Sequence, residues 1–463
     1  EVCDGRVYGM KPSSLLTNIV TVVGLISASL MPVVGSIIDH TDRRRDVGRI
    51  SAMIFTLLIL VQVVCLQFYW FGAAIAQVAI AFCYSVHLCA VFAYLPELTD
   101  DQAKLTKYAA RFTAAQYSAS VVFLVLMVYI LSLIGVYEEA ASVLASQICV
   151  CLCCAIFFGY AWTGLFQDRP ARQQIAPGES IYGAGLTKIY KTTRAILLHH
   201  KALKWFLIAT SFTEAAATAF SSIAITYMTD QLYFSSTENG IAILLLLVFA
   251  VPGTRIAAFV TQRFNPIRSL QACLCLWMLN TAAASVVLKG PGQQMTVMVF
   301  SVVWGLSIGW VYPTEKALYC SIINKGSEAE LMGVYICACQ ILGWLPPLIF
   351  TIMNEMEISM RIGLFSLNAY FLISFLVLFL VGDHEEAMQH AKDIDDGKIL
   401  FALDDYDVEA AVLKRNSSHD RTVSSADEIG GGVDERNNNN KKSGEDEEEI
   451  SITADYKQFK DIE

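Results

Sequence analysis

Long apolar runs recur along most of the chain and are separated by short polar connections. A helix of about 20 apolar residues crosses the ~30 Å hydrocarbon core of a bilayer. Stretches such as 243–248 and 371–380 are apolar on every side, which excludes the alternation typical of a membrane β-barrel strand. The pattern therefore predicts an all-α, polytopic membrane protein with eleven spans, at residues 14–38, 49–68, 73–95, 112–134, 141–166, 204–227, 239–260, 267–288, 294–315, 330–353 and 361–381.

The composition excludes a water-soluble enzyme. Of the 463 residues, 55% are apolar and 16% charged, whereas soluble domains have about 45–50% apolar and about 25% charged residues. The chain contains none of the patterns G-x-x-x-x-G-K-S/T, H-E-x-x-H or G-x-S-x-G, so we predict no enzyme activity and no cofactor. The four cysteines in 149–154 do not share one helix face, and we predict no metal site there.

The charges are distributed unevenly. Loops after the first, third, fifth, seventh and ninth spans, with helix ends included, hold 19 Lys and Arg, against 4 in the other connections and the chain start. Because positive loops stay in the cytoplasm, these loops and the C-terminal tail are predicted to be cytoplasmic. The tail, 382–463, is rich in acidic residues and is predicted to be disordered.

The spans divide five plus six around a long connection at 167–203. We predict an N-terminal bundle at 1–166, a cytoplasmic linker at 167–203 and a C-terminal six-helix bundle at 204–381. Because transporters are commonly built from two equal repeats, we expect a further span upstream of Glu1. Within the linker, 186–204 has the spacing of a basic amphipathic helix on the cytoplasmic leaflet, and an ordinary solvated linker is the alternative.

The loop after the first span carries the strongest local motif, G-x-x-x-D-x-x-x-R-R, formed by Gly35, Asp39, Arg43 and Arg44. A glycine at a helix end allows close packing, and an acid four residues on can meet a cation or a helix N-terminus. The motif resembles the loop between the second and third helices of the major facilitator superfamily, although Asp42 replaces that family's second glycine. The resemblance implies two six-helix bundles and a gate latch in this loop; a merely basic loop is the alternative.

A narrower resemblance rests on Tyr94-Leu-Pro-Glu97 and on the stretches 309–316, 326–335 and 343–348. These segments are similar to the autophagy-related vacuolar effluxers. Lys316 stands where that branch tends to have Arg, Leu331-Met332 replaces an aromatic pair, and Pro346 replaces a Gly. The resemblance implies a vacuole membrane protein that exports amino acids to the cytosol after autophagic breakdown.

Glu214 lies ten residues into the span at 204–227, near the middle of the membrane. A charge at that depth costs ~2.5–3.5 kcal/mol on insertion scales, so it indicates a function. We predict that Glu214 exchanges a proton or receives a substrate ammonium; the alternative is a protonated Glu that ties two helices together through Ser or Thr.

Tyr312, Glu315 and Lys316 end the predicted span 294–315. Glu315 and Lys316 are adjacent, so they point about 100° apart and each needs a partner elsewhere. We expect Tyr312 and Lys316 to line or gate the cleft between the halves, although Lys316 at a span end can also extend to water. His87, in mid-span, is expected to be a core histidine rather than a proton relay.

The sequence thus predicts a secondary active transporter that works by alternating access, with amino acids and protons as the expected small-molecule partners and no nucleic acid. A facilitator for another small solute, such as a sugar or peptide, is one alternative. A receptor or scaffold without transport activity is another.

Overall fold

The computed structural model describes residues 10–11, 13–40, 43–94, 102–135, 139–168, 190, 192–198, 200–323 and 328–395. Within these ranges the regular elements are helices, and they provide eleven segments long and apolar enough to cross a membrane, one of which consists of two consecutive helices. The predicted all-α class and the eleven spans are confirmed.

The N-terminal half comprises five helices: α1 (Ser14–His40), α2 (Arg44–Phe68), α3 (Trp70–Phe92), α4 (Gln102–Ile134) and α5 (Glu139–Tyr160), which continues into a π-helical turn at Ala161–Leu165. The C-terminal half comprises α6 (Lys201–Thr226, then a π-helical turn at Tyr227–Gln231), α7 (Ser236–Arg263), α8 (Pro266–Val287), α9 (Gln294–Ile322), α10 (Glu328–Ile341), α11 (Leu345–Glu355) and α12 (Met360–Val381). We call the face at which α1 and α12 end the tail face, and the face at which they begin the far face.

Several predicted spans differ from the observed helices. The helices α2 and α4 begin at Arg44 and Gln102, earlier than the predicted 49 and 112. The span expected to end at residue 315 is α9, which continues to Ile322. The span expected as one helix at 330–353 is α10 followed by α11, with a break at 342–344. Pro346 and Pro347 lie in the first turn of α11, where a missing N–H costs no helical hydrogen bond.

Inside the C-terminal half, α7 and α9 lie in close backbone contact. A Cβ added to Gly305 would collide with the carbonyl oxygen of Leu246, and one added to Gly309 with the carbonyl oxygen of Ala250. In a membrane protein, where lipid tails are as apolar as Leu, small residues of this kind allow helices to approach and gain dispersion contacts. This pair forms part of the large core of the C-terminal half.

The two halves meet along two sets of helices. α1 lies against α10 and α11, and α4 lies against α7 and α9. At the first contact, a Cβ added to Gly24 would lie 2.7 Å from the backbone nitrogen of Trp344, at the break between α10 and α11. A relative movement of the halves therefore has to change these two helix contacts.

The tail was expected to be disordered directly after Gly382, and for the first residues of the tail this expectation is wrong. Residues His384–Asp395 form a further helix, α13, which contacts the end of α9 and buries Ala387 and Ala391. His390 of α13 lies 5.0 Å, ring to ring, from His200, which precedes α6. The polar composition of the tail predicted disorder. In α13, however, Ala387 and Ala391 are four residues apart, so they share one helix face that can pack against the protein. Residues 396–463 lie outside the described residues.

The predicted amphipathic linker helix is described only in part. Residues 192–198 are helical, and Ile196 is 1% exposed within the core of the C-terminal half, whereas Leu197 is exposed. The preceding residues 169–189 lie outside the described residues. Contact of this segment with the membrane surface stays a prediction.

We expect Gly309→Ala to lower the free energy of unfolding by about 1–3 kcal/mol, because the added methyl group forces α9 away from the Ala250 carbonyl. Thermal unfolding of the purified protein in detergent measures this effect. Gly240→Ala, on α7, is the matched control, since nothing lies within 4 Å of a Cβ there. Equal melting temperatures for the two variants would contradict the close packing.

The docking of α13 is expected to weaken in acid. Burial, and then the nearby His390, lower the pKa of His200 to about 4, and burial also lowers the pKa of His384. His200 Nδ1 accepts a hydrogen bond from the Leu203 N–H, and protonation there removes this cap of α6. Because the unfolded imidazole titrates near 6.5, the stabilisation is complete above about pH 6.5 and is lost as the pH falls towards 4.

Hydrogen exchange of the α13 amides measures this pH dependence. Between about pH 7 and pH 5 the loss for His200 alone amounts to at most about 2 kcal/mol, the value reached when undocking returns its imidazole to water. His200→Asn keeps a capping oxygen but cannot titrate, so its α13 protection should change less. If wild type and His200→Asn respond identically to acid, His200 does not control the docking.

Candidate functional site

Glu214 lies within α6 and is 8% exposed. The Thr218 hydroxyl donates to the backbone carbonyl of Glu214, at 2.7 Å, and not to its carboxyl group. The charged side chains that interact with this carboxyl include Glu315 and Lys316, both on α9. Within the described part of the chain, the alternative of a Glu held by Ser or Thr hydroxyls is therefore not seen.

Glu315 is the second acid of the site. It is 0% exposed, and among the described residues neither of its carboxyl oxygens has a well-aligned hydrogen-bond partner. The Thr213 and Glu214 side chains of α6 face it, but the Thr213 hydroxyl is already 2.7 Å from that of Ser374. Glu315 thus presents two buried acceptor atoms that need a donor.

Lys316 connects the acids to the other half of the molecule. Its Nζ lies 4.4 Å from the centre of the Phe92 ring, at the end of α3, and it also interacts with Glu214 and Glu315. Since α9 continues to Ile322, Lys316 does not lie at a helix end, and the alternative in which it extends to water from a span end is not seen. Instead, a cation–π contact joins the two halves.

Three tyrosines surround the charged groups. Tyr312 of α9 and Tyr117 of α4 both interact electrostatically with Glu214. Tyr335 of α10 is 6% exposed and stacks on Tyr319, with ring centroids 4.6 Å apart. Tyr117 belongs to the N-terminal half and packs against the core of the C-terminal half. The structure thus brings Glu214, Tyr312 and Lys316 close together, with Glu315 and Tyr117 beside them, and their roles in transport stay predictions.

The charges of this cluster do not balance. Two carboxyl groups and one ammonium leave an excess of one negative charge when all three are ionised. Two neighbouring carboxylates repel each other in a low-dielectric interior, so the site favours an added positive charge. A proton or a substrate ammonium can supply it.

The predicted gate motif lies at the tail face, where Ala93 and Tyr94 directly follow Phe92, the residue that Lys316 contacts. Arg44 is 2% exposed, donates to the carbonyl oxygen of Ala93 at 3.2 Å, and lies over the Tyr94 ring. Arg43 is exposed. No described atom lies within 4 Å of a Cβ added to Gly35, and the Asp39 side chain lies outside the described residues, so their roles in a latch stay predictions.

Arg45 also makes contacts at the tail face, although the sequence did not single it out. It forms a salt bridge of 2.8 Å with Asp168 and donates to the carbonyl oxygen of Trp162. The contacts described for Arg44 and Arg45 join α2 to the ends of α3 and α5. They lie within the N-terminal half, and a role between the halves is not seen in them.

His87 packs among aromatic rings, with its ring centre 4.5 Å from that of Phe158 and 5.6 Å from that of Trp162. It is 8% exposed, and its Nδ1 has no partner among the described residues. Nothing in these contacts connects His87 to the Glu214 cluster. Among the described residues, no group of three or more His, Cys, Asp and Glu side chains is placed to hold a metal ion.

Comparisons with known proteins agree with this architecture. Residues 8–392 match the profile of a family described as "Vacuole effluxer Atg22 like". No curated protein sequence matches the chain.

Three solved structures illustrate the shared fold. The human organic anion transporter MFSD10 superimposes with a TM-score of 0.58 at 11% identity, over 79% of this chain and 83% of that one. The nucleoside transporter NupG superimposes with a TM-score of 0.57 at 14% identity, over 81% of this chain and 92% of that one. The proton:xylose symporter XylE, of the major facilitator superfamily, superimposes with a TM-score of 0.57 at 13% identity, over 79% of this chain and 86% of that one. At these identities the likeness concerns the fold.

Proposed function

The chain belongs to the family of Atg22-like vacuole effluxers and has the major facilitator fold, and from this premise we propose that it exports amino acids from the vacuole to the cytosol by alternating access. In this mechanism a site between two halves opens to one side of the membrane at a time. Neither the fold nor the family match specifies the substrate or the direction of transport, so both belong to the proposal.

The observation that carries the proposal is the proximity of two buried acids and one lysine where the halves meet. An amino acid offers one ammonium and one carboxylate. The ammonium complements Glu214 and Glu315, and the carboxylate complements Lys316 through charge-assisted hydrogen bonds. A neutral sugar would leave these buried charges unpaired, at a cost of several kcal/mol.

The acid pair also supports coupling to protons. When no substrate ammonium is present, a proton is the simplest positive charge that the pair can take. A proton that moves with the substrate out of an acidic compartment would supply the driving force. The solved relative XylE is itself named as a proton symporter, and its likeness to this chain concerns the fold alone.

The proposed orientation follows from charge. The loops on the tail face carry most of the Lys and Arg residues outside the tail, which favours a cytoplasmic tail face. The far face then lies towards the vacuole lumen. Transport to the cytosol requires the central site to open first to the far face and then to the tail face.

Full-length protein reconstituted in proteoliposomes tests the substrate. Counterflow with a panel of labelled amino acids, sugars and dipeptides should show exchange of amino acids. Exchange of sugars without amino acids would contradict the substrate class. Isolated vacuoles that lack the protein should retain more amino acids than those that contain it.

Glu214→Gln is expected to abolish uphill transport driven by a pH gradient, because the amide cannot carry a proton. Counterflow, which needs no net proton movement, should be retained at least in part. Glu386→Gln removes an exposed carboxyl on α13 and serves as the control. Unchanged uphill transport by Glu214→Gln would disprove the proton role.

A further inference from the structure

A dense polar cluster joins the halves at the far face, away from the Glu214 site. Glu355, the last residue of α11, accepts hydrogen bonds at one carboxyl oxygen from the Lys11 backbone N–H, at 2.8 Å, and from the Ser14 hydroxyl, at 2.7 Å. Lys11 and Ser14 belong to the start of the N-terminal half. The carboxyl of Glu355 therefore fixes the beginning of α1 to the end of α11.

The neighbouring residue extends this connection. The Asn354 side-chain amide donates to the hydroxyls of Ser13 and Ser14, at 2.9 and 3.0 Å, and its backbone carbonyl accepts from Lys11 Nζ at 2.9 Å. Asn354 is 5% exposed, so these bonds are shielded from water. Buried polar groups held in this way are costly to separate unless each regains a partner.

A third layer lies one turn deeper along both helices. The hydroxyl oxygens of Thr17 and Thr351 are 2.6 Å apart, and both side chains are buried. Together with the bonds of Glu355 and Asn354, this makes six described hydrogen bonds between the halves at the far face. Below them, α1 continues in close contact with the Trp344 backbone through Gly24.

We infer that Glu355 and Asn354 form the far-face gate, which holds α1 against α11 and closes the central site from that side. The inference rests on the alternating-access part of the proposed function and not on its substrate. In the structure the gate is closed. Glu355 is the residue chosen for substitution, because one of its carboxyl oxygens accepts from two donors of the other half at once.

The gate predicts a specific change in accessibility. Removal of the Glu355 carboxyl leaves the Lys11 and Ser14 donors without their acceptor and weakens the closed state. We expect Glu355→Ala to raise the ratio of far-open to far-closed molecules about tenfold, the equivalent of ~1.4 kcal/mol. Glu355→Gln retains an acceptor oxygen and should stay closer to wild type.

Native Cys339 is a reporter for this test, because it lies beside Tyr335 and interacts with Glu214 and Lys316 at the central site. Proteoliposomes are sorted by whether a C-terminal tag is exposed, which separates the two orientations. A membrane-impermeant thiol reagent is then applied outside, and modification of the Cys339 peptide is quantified by mass spectrometry. No substrate is needed, so failure of the amino acid proposal does not affect the result.

In vesicles that expose the far face, Cys339 should be protected in wild type and modified several-fold faster in Glu355→Ala. Glu357→Ala, which removes an exposed carboxyl two residues away, should behave like wild type. Equal modification of Glu355→Ala and Glu357→Ala, or rapid modification of wild type from this face, would overturn the inference.

A cross-link separates gate opening from misfolding. Cysteines placed at Thr17 and Thr351, whose hydroxyls touch, are close enough for a disulfide. When this disulfide is formed in the Glu355→Ala variant, Cys339 should again be protected from reagent at the far face. A reductant, which opens the disulfide, should abolish this protection. If the closed disulfide leaves Cys339 as reactive as in Glu355→Ala, the far-face contact does not control access and the inference is wrong.

Discussion

The absence of hydrogen-bonding partners in the hydrocarbon core of a bilayer governs this structure. Every backbone and side-chain polar group at that depth has to find a partner inside the protein. The long helices satisfy the backbone, so the remaining cost falls on a few side chains, above all Glu214, Glu315 and Lys316. Glu315 keeps two buried oxygens that lack a well-aligned partner among the described residues. An unsatisfied group of this kind persists only where something else, such as a bound cation, completes it.

The same constraint explains where the halves are held together. At the far face, short hydroxyl, amide and carboxyl side chains join α1 to α11, as seen for Ser14 and Glu355. Around the Glu214 cluster, the described contacts between halves involve aromatic groups, Phe92 at the end of α3 against Lys316 and Tyr117 near Glu214. Aromatic contacts of this type can separate without leaving unpaired hydrogen bonds, whereas the far-face bonds must be exchanged for water. The interface around the cluster is therefore easier to separate than the far-face contact.

The spans could be predicted from the sequence because a run of about 20 apolar residues is typical of a membrane-spanning helix. Glu214 was found for the same reason, as a charge with no other explanation at its depth. Glu315 was not assigned a role because α9 was predicted to end beside it, whereas the helix continues through Ala317 to Ile322. The far-face bonds were missed because Ser14, Thr17 and Asn354 are ordinary residues near span ends, and only the packing of α1 on α11 brings them together. Helix α13 was missed because its overall polarity resembles that of the tail that follows.

The adjacency of Glu315 and Lys316 has a structural consequence for any movement of the halves. Residues next to each other on a helix point about 100° apart, so α9 directs its acid towards α6 and its lysine towards α3. Both acids belong to the C-terminal half, on α6 and α9, and their contact does not cross the boundary between the halves. The Lys316–Phe92 contact does cross it. If the halves separate as rigid bodies, the acid pair stays intact while the lysine loses its aromatic neighbour and gains freedom to bind elsewhere. The whole charged cluster then travels with the C-terminal half, and Lys316 and Glu214 lose their aromatic neighbours Phe92 and Tyr117 from the other half.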